Sequence, residues 1–423
     1  MANRLYDRKQ VWSWAFYDWA NSAFATTVAA VLFPAFFSQD YWQKGVDTAT
    51  STSRLGIANS SASIIVALLA PMLGAVADRG GKKKFFLTIF TIVGVLCSII
   101  LGMLRQDQWF PAIAIFLIAN VGFNGALSFY DAMLVDVSPD DQVDYVSALG
   151  FSVGYLGGGL LLAVNVLMIN KPAMFGLADS VAGVKWSFIS VGIWWAIFSI
   201  PLLAFVREHK PLEKVNLLEA AREGFVQVKH TFLEIRRLRN VLTFLIAYLI
   251  YIDGVNSVIR MAVKFGKDLD FPTDVLIKAL LLTQFVAFPA ALAFGHLGKK
   301  LGPKTGILIA LSVYVIATIL ATQMTQPWHF YGLSVAIGLV QGGVQSLSRS
   351  FFARLIPADK AGEFFGFYNM LGKAAAFAGP LLMALAAVMG APVRYTILAL
   401  VVLFVGGGLV LLRVPEDAPP ATV

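Results

Sequence analysis

The sequence predicts an all-α polytopic membrane protein, with twelve transmembrane helices in two pseudo-repeated six-helix bundles. Three observations favour this fold class. The 423 residues are 58% hydrophobic, have a mean hydropathy of +0.73 and are only 14% charged, whereas soluble domains are about 45–50% apolar and about 25% charged. The chain also contains twelve long apolar segments, and its two halves share three short motifs in the same order.

Each of the twelve apolar segments is long enough to cross a bilayer, which takes about 20 residues of α-helix. We predict spans 1 to 12 at residues 10–37, 54–77, 85–104, 109–135, 145–169, 184–206, 240–264, 273–297, 304–323, 327–352, 363–389 and 394–413.

A long charged stretch divides these spans six and six. The predicted regions are an N-terminal bundle (1–206), a linker (207–239), a C-terminal bundle (240–414) and a cytoplasmic tail (415–423). In the linker, apolar residues recur at three- and four-residue steps between charged ones, which predicts an amphipathic helix on the inner membrane face. A solvated linker is the alternative. The apolar residues are Val215, Leu218, Phe225, Val228, Phe232 and Ile235.

The distribution of charge predicts the orientation of the chain. Most Lys and Arg residues outside the spans lie in segments that share a side with the N-terminus, so the positive-inside rule places both termini in the cytoplasm. The net charge of +8 therefore reflects membrane topology, and we expect no nucleic-acid partner. The basic start "MANRLYDRKQ" precedes a full-length apolar run without a cleavage site, so no signal peptide is expected. The short polar tail suits a bacterial inner membrane.

Three pairs of motifs relate the two halves. "DWANSAF" (18–24) matches "DGVNSVI" (253–259), "GAVADRGGKK" (74–83) matches "GHLGKKLGPK" (295–304), and "NGALSFYDAMLVDVSPD" (124–140) matches "GGVQSLSRSFFARLIPA" (342–358). Because the pairs occur in the same order, they indicate a repeated six-helix unit. Transporters built this way place the solute site between the halves, near the membrane midplane.

The loop after span 2, "GAVADRGGKKK", combines glycines, an aspartate and a basic run. Gly74 permits close helix contact, Gly81 permits a tight turn, and Asp78 can cap a neighbouring helix N-terminus. Arg79 is expected to pair with a carboxylate such as Asp136. The loop resembles the cytoplasmic signature of the major facilitator superfamily, where it latches the two halves together. The residues of this expected latch are Gly74, Asp78, Arg79, Gly81, Lys82, Lys83 and Asp136.

Three further motifs narrow the resemblance. "YDWANSAFATTV", "GGVQSLSRSFFARLIP" and "EFFGFYNMLGKAAAFAGP" are similar to the branch called "unidentified major facilitators", which includes the autophagy-related vacuolar amino-acid effluxers of fungi. Two departures argue against drug efflux. Span 4 has Asn120 and no arginine in "IANVGFNGA", and span 5 has "GFSVGYLGGG" without the proline of antiporter relatives.

Polar residues recur on one face of spans 1, 4, 7 and 10, the helices that line the central cavity in the resembled superfamily. Charges at this depth cost about 2.5 kcal/mol or more on insertion scales, and they normally face a water-filled cavity or pair with each other. The candidate residues for binding substrate or a proton are Asp18, Asn21, Ser22, Asn124, Asp131, Asp253, Asn256, Gln345, Arg349 and Lys373.

Several roles stay open at this point. Asp18 is expected to face an aqueous cavity opposite Asp253, and the alternative is a structural pair or cap near the inner interface. Asp131 and Arg349 occupy equivalent repeat positions with opposite charges, so they form either a bridge between the halves, which could be the gate, or a ligand site. Lys373 is a candidate for a substrate carboxylate or a partner for Asp253.

The sequence indicates transport driven by a gradient. We find no Walker loop, so ATP is not expected to supply the energy. A carboxyl group in the membrane can carry a proton because neutralisation removes the cost of its charge. Asp18 and Asp253 are the main candidates and Asp131 is the third; sodium is the alternative ion. Cys97 is single, and no His, Cys or carboxylate cluster has metal-ligand spacing, so no metal, cofactor or disulfide is expected.

The leading interpretation is a secondary transporter, not an enzyme, that moves small polar solutes by alternating access as a monomer among membrane lipids. Charges of both signs along the path favour a zwitterion, and the resemblance implies amino acids. Sugars, peptides and lysolipids are the alternative substrates. A non-transporting receptor or sensor is the alternative of another class. An intramembrane aspartyl protease is disfavoured, because "LIYIDG" lacks the Gly-x-Gly-Asp context around its aspartate.

Overall fold

The computed structural model describes residues 6–38, 41–43, 45–208, 229–374 and 378–416. Within these ranges every regular element is a helix, and twelve helical segments are long and apolar enough to cross a membrane. Spans 1 to 6 comprise Arg8–Ala23 continued by Phe24–Leu32 and Phe33–Ser38, Thr48–Gly80, Lys83–Met103, Trp109–Ala132 continued by Leu134–Val137, Val143–Asn170, and Ser180–Phe205. Spans 7 to 12 comprise Arg239–Asp268, Thr273–Leu301, Pro303–Ala321, Pro327–Leu355, Ala361–Ala374 followed by Ala378–Val388, and Val393–Thr396 followed by Ala399–Leu411.

The number and order of the predicted spans are confirmed, and the differences lie at the helix ends. Span 2 was expected at 54–77 and extends over Thr48–Gly80, because polar residues at its ends continue the helix beyond the apolar core. Most of the amphipathic linker helix and of the tail lies outside the described residues. Residues 229–237 are helical, and Ile235 of this segment is buried against the bundle.

Local sequence signals begin and end several spans. The carboxylates of Asp7, Asp47 and Asp179 accept hydrogen bonds from the first-turn amides of spans 1, 2 and 6, which satisfies donors that the helix itself leaves unpaired. Gly81 ends span 2 with a φ of 58°, in the left-handed region that glycine adopts without steric cost.

One end of the bundle holds the connections between even-numbered and odd-numbered spans, and we call it the linker end. Ion pairs and hydrogen bonds tie these connections to one another. Lys83 bonds Asp136, and the Lys84 amide donates to Glu208 at 2.6 Å. The opposite end of the bundle is the far end.

The two six-helix halves repeat one another in their contacts as well as in their motifs. Ser22 Oγ donates to Asp18 Oδ1 at 3.1 Å, and Ser257 Oγ donates to Asp253 Oδ1 at 3.2 Å. Each serine lies one helical turn after its aspartate, so the first motif pair has the same local geometry in both halves. The pseudo-repeat is therefore structural, as the sequence predicted.

Span 1 departs from regular α-helix. Residues Phe24–Leu32 form a π-helix, in which the backbone bonds reach five residues back instead of four. This segment begins directly after the polar face that carries Asp18, Asn21 and Ser22.

Candidate functional site

Arg349 is the centre of a buried charge cluster, which we define as Asp18, Asp131 and Arg349. The Arg349 side chain comes from span 10 and is 2% exposed. Its Nη1 lies 2.9 Å from Asp131 Oδ1 of span 4. Its Nε donates to Ser147 Oγ at 2.9 Å and its Nη2 donates to Ser147 O at 2.8 Å, both in span 5. One arginine of the C-terminal half thus binds two spans of the N-terminal half.

Asp18 belongs to the same cluster at a longer distance. Its Oδ2 lies 3.9 Å from Arg349 Nη1, and the Tyr130 hydroxyl donates to that oxygen at 3.4 Å. The side chain is 8% exposed. The expectation that Asp18 faces an aqueous cavity opposite Asp253 is therefore wrong for this conformation, because the closed linker end buries Asp18 beside Arg349.

Small residues and aromatic rings make room for the cluster. A Cβ atom on Gly150 would press on Arg349 and Tyr130, and one on Gly154 would press on Asp18. The guanidinium carbon of Arg349 lies 4.3 Å from the Phe151 ring centre and 5.0 Å from that of Trp14. Ring faces attract a cation, so these contacts stabilise a charge that is removed from water.

Asp131 also binds a second span of the C-terminal half. Asn369 Nδ2 of span 11 donates to Asp131 Oδ2 at 3.0 Å. The bridge between Asp131 and Arg349, one of the two predicted arrangements, is therefore present, and both carboxylate oxygens of Asp131 are engaged.

Asp253 lies apart from the charge cluster and caps a helix. Its oxygens accept from the amides of Ala378 at 2.7 Å and Gly379 at 3.2 Å, the first residues of the second helix of span 11. The structure does not bring Asp253 together with Lys373 in an ion pair. A carboxylate at a helix N-terminus satisfies unpaired amides and the helix dipole, so a structural role accounts for this charge.

The polar stripe of span 4 is partly satisfied by its own helix. Asn124 Nδ2 donates to Asn120 O at 2.8 Å, and Ser128 Oγ donates to Asn124 O at 3.2 Å. Two buried amide atoms have no hydrogen-bond partner among the described residues: Asn124 Oδ1 and Asn21 Nδ2. An acceptor on span 4 and a donor on span 1 are thus available to a bound polar molecule.

Two more candidates contact neighbouring spans. Gln345 Oε1 accepts a hydrogen bond from the Tyr155 hydroxyl of span 5, and Asn256 Nδ2 donates to Gly372 O of span 11 at 3.3 Å. Lys373 follows Gly372, and its Nζ lies 5.9 Å from the Phe123 ring centre of span 4.

The predicted latch loop crosses between the halves. Asp78 Oδ1 accepts from the Gly362 amide and Oδ2 from the Glu363 amide, each at 2.9 Å. These amides open the first helix of span 11, so the cap expected for Asp78 is confirmed. Gly74 packs directly on Gly362, where a Cβ atom would overlap the carbonyl group. The predicted close helix contact is therefore present.

The basic part of the loop binds carboxylates. Lys83 Nζ lies 3.3 Å from Asp78 Oδ1 and 3.2 Å from Asp136 Oδ2, and all three side chains are less than 10% exposed. The ion-pair partner seen for Asp136 is thus Lys83, while the pairing expected for Arg79 stays a prediction. Lys82 precedes the first residue of span 3, and its amide donates to Ala77 O at 3.0 Å.

Sequence reasoning missed the polar face of span 5. Asp144 forms an ion pair with Arg354, Ser147 Oγ donates to Ser346 O at 2.8 Å, and Ser152 Oγ donates to Phe288 O at 2.7 Å. Helical spacing over Asp144, Ser147 and Tyr155 would have indicated one polar face. It would not have indicated that spans 8 and 10 cover this face.

A pair of equivalent clamps was also missed. Lys84 donates through its amide to Glu208 and through Nζ to Val206 O at 2.9 Å. In the other half, Lys304 donates through its amide to Glu416 at 2.9 Å and through Nζ to Val414 O at 3.0 Å. Each clamp ties the end of the last span of a half to the start of its third span.

The arrangement defines a class of protein before any relative is considered. Two repeated bundles enclose a buried ion pair between them, and their described hydrogen bonds and ion pairs to each other lie within about 20 Å of the linker end, counting 1.5 Å per helical residue. Solved transporters share this fold. The human organic anion transporter MFSD10 (TETRAN) superposes with a TM-score of 0.72 at 16% identity, covering 96% of this chain and all of that one. The proton:xylose symporter XylE superposes with a TM-score of 0.68 at 14% identity, covering 98% and 96%.

These likenesses show the fold of the major facilitator superfamily, and sequence comparison gives the family. The profile described as "Vacuole effluxer Atg22 like" matches residues 6–139 and 135–418. The chain is 36% identical over 411 residues to the uncharacterized MFS-type transporter YxiO of Bacillus subtilis, covering 97% of this chain and 95% of that protein. It is 26% identical over 335 residues to autophagy-related protein 22 of Kluyveromyces lactis, covering 72% and 67%. The protein belongs to the Atg22-like family of major facilitator transporters.

Proposed function

We propose that the protein is a proton-coupled secondary transporter of amino acids that works by alternating access. The observation that carries this proposal is the stoichiometry of the charge cluster. Two buried carboxylates, Asp18 and Asp131, share one guanidinium, that of Arg349. A buried charge without full compensation is costly, so one proton is needed to balance the cluster.

Asp18 is the carboxylate that we assign to the proton. Arg349 Nη1 is 2.9 Å from Asp131 but 3.9 Å from Asp18, and Asp131 receives a second hydrogen bond from Asn369. Asp18 is therefore the less compensated of the two, and protonation removes its charge. The donors that remain, Ser22 and Tyr130, also suit a neutral carboxyl group.

The same cluster couples the proton to the conformational change. Arg349, Asp131 and Asn369 join opposite halves, so any change in the charge of the cluster changes the strength of the contact between the halves. Loss of the proton from Asp18 leaves two carboxylates that compete for Arg349. Proton binding and the closing of the linker end are in this way parts of one equilibrium.

We place the linker end in the cytoplasm, on the basis of the basic residues concentrated there. The state seen here is then closed toward the cytoplasm. A monomer in a bacterial cell membrane fits the bacterial relative, YxiO, which has nearly the same length.

Support for amino acids comes from two sources. The buried donor Asn21 Nδ2 and the acceptor Asn124 Oδ1 lack partners among the described residues, which suits a small polar solute. The matching family is described as an effluxer, and the sequence resemblance points to amino acids. XylE, of the same fold, is a proton:xylose symporter, so sugars are the comparison substrate, with peptides and lysolipids next.

The test is uptake of a pool of labelled amino acids by proteoliposomes, with and without an imposed proton gradient. The variant is Asp18→Asn, and the matched control is Asp268→Asn, an exposed carboxylate paired with Lys264 at the far end. We expect gradient-driven accumulation in the wild type and the control, and its loss in Asp18→Asn with membrane insertion unchanged. Normal accumulation by Asp18→Asn would refute the coupling role. Uptake of labelled sugars in place of amino acids would refute the substrate.

A further inference from the structure

Two cations in the middle of the C-terminal half lack the counter-charges that the other intramembrane ions have. Neither Lys373 nor Arg260 has an ion pair within 4.0 Å or a hydrogen bond with any described residue. By contrast, each of Asp18, Asp131 and Asp253 is bonded to protein groups. The described region thus offers unpaired positive charge and no unpaired negative charge.

The two cations lie along one seam, between spans 7 and 11. Asn256 Nδ2 of span 7 donates to Gly372 O of span 11, so the face that carries Asn256 contacts the residue before Lys373. Arg260 follows Asn256 by four residues and lies one turn farther along that face. The positive charge of Arg260 acts on Lys373, which agrees with this placement.

Lys373 points from this seam toward the N-terminal half. Its Nζ lies 5.9 Å from the ring centre of Phe123 in span 4, and Phe123 immediately precedes the partly unsatisfied Asn124. Lys373 is twelve residues from the start of its helix at Ala361, which is about 18 Å from the linker end at 1.5 Å per residue. That depth is near the middle of a hydrocarbon core of about 30 Å.

We propose that Lys373 and Arg260 form the subsite for a carboxylate of the transported solute, which is recognised as an organic anion and not through an ammonium group. The proposal rests on the transport function proposed above and specifies what the solute must carry. Two cations held close together repel each other, and a bound carboxylate relieves that repulsion while it neutralises both. An ammonium group finds no equivalent partner, because Asp131 and Asp253 are committed to Arg349 and to a helix N-terminus.

The first test uses the wild-type protein alone. Proteoliposome uptake of the labelled amino-acid pool is challenged with four unlabelled competitors: the amino acids, the amines left by their decarboxylation, the acids left by their deamination, and inorganic phosphate. We expect the acids to inhibit within about threefold of the amino acids and the amines to be weaker by about tenfold or more. Equal inhibition by the amines would overturn the proposal. Inhibition by phosphate as strong as that by the acids would overturn the choice of carboxylate.

The second test uses variants. Lys373→Met and Arg260→Gln should raise the concentration of the acids needed for half-inhibition by about tenfold or more, since truncating one side of a buried charge contact costs at least that much. Lys373→Arg keeps the charge and should stay within about threefold. The control Lys278→Met removes an exposed lysine paired with Asp274 and should match the wild type. Wild-type inhibition in both truncated variants would overturn the subsite.

A binding readout separates the two proposals. The acid pool should raise the melting temperature of the purified wild type and of Lys373→Arg, but not that of Lys373→Met. If amino acids are not transported but the acids still stabilise the protein through Lys373, the amino-acid function fails and the subsite stands. If amino acids accumulate and Lys373→Met behaves as wild type, the function stands and the subsite fails. Neither uptake nor stabilisation in folded wild type would overturn both.

Discussion

Arg349 and Asp131 occupy equivalent positions of the two repeated motifs, and they bind each other across the interface between the halves, with Arg349 Nη1 2.9 Å from Asp131 Oδ1. A repeated position that carries opposite charges in the two halves joins them wherever the pseudo-twofold axis brings these positions together. The pair is buried, so its loss is felt strongly.

Removing the arginine should open the linker end. Arg349→Gln leaves Asp131 and Asp18 without their shared cation, which costs about 3 kcal/mol in the closed state. Spin labels at Asp141 and Lys299, an exposed pair across the halves, should report a longer distance in a Cys97→Ala background. The double variant Asp131→Asn with Arg349→Gln should recover part of the closed population. Unchanged distances in Arg349→Gln would refute the role of this pair.

Gly74 and Gly80 offer a matched comparison at the latch. Gly74→Ala places a methyl group on the Gly362 carbonyl and should push spans 2 and 11 apart, whereas the nearest atom to a Cβ on Gly80 is Lys82 Cγ at an ordinary 3.7 Å. We expect a loss of the closed state and of transport by about tenfold or more in Gly74→Ala, and little change in Gly80→Ala. Equal activity of the two variants would show that the close contact is dispensable.

The cap made by Asp253 can be measured by hydrogen exchange. Asp253→Ala removes the acceptor for the Ala378 and Gly379 amides, and loss of a helix cap costs about 1 kcal/mol, or about fivefold in local opening. Exchange should therefore quicken over residues 379–388. Ser257→Ala, which removes one donor to Asp253, should have a smaller effect. If exchange in this segment is unaltered, Asp253 is free for another role.

Glu208 should make stability depend on pH in an unusual direction. Burial raises the pKa of Glu208 above its ordinary value of 4.5. The folded state therefore holds this proton more tightly than the unfolded chain, so the contribution of Glu208 to the free energy of unfolding falls as the pH rises through its folded pKa. Glu208→Gln should flatten this part of the curve of melting temperature against pH.

Asp7 provides the control of opposite sign. The side chain of Gln10 donates a hydrogen bond to Asp7 and lowers the pKa of this exposed carboxyl. Its contribution is present above its unfolded pKa and is lost as the pH falls. Asp7→Asn should therefore alter the acid side of the curve, and the same pH dependence in both variants would contradict the assignment to Glu208.

The sequence was sufficient for features that depend on composition or on local spacing. The twelve spans need only length and hydropathy, the turn at Gly81 needs only glycine, and the pairing of Asp131 with Arg349 follows once the repeat is seen. The cap by Asp78 could be predicted because the loop motif already indicates contact with the other half.

The rest depends on which helix faces meet. Helical periodicity showed that Asp253 lies on a polar face, but not that the start of a helix more than 120 residues away supplies its donors. The same limit applies to the contact of Lys84 with Glu208, across 124 residues. Asp18 was placed in water because a lone carboxylate in an apolar span suggests a cavity, while its actual neighbour, Arg349, lies in the other half.

The concentration of bonds between the halves at the linker end has a thermodynamic consequence. A carrier that cycles must visit two states of similar free energy, or it stays in the more stable one. The ion pairs and caps that close the linker end must therefore be offset by contacts that form only when the far end closes. Among the described residues, the apolar side chains exposed toward the far end of span 2, such as Ile57 and Ile64, can supply such contacts without charge. One exit would then be held shut by salt bridges and the other by dehydration, and the two states should respond in opposite directions to ionic strength and to cooling.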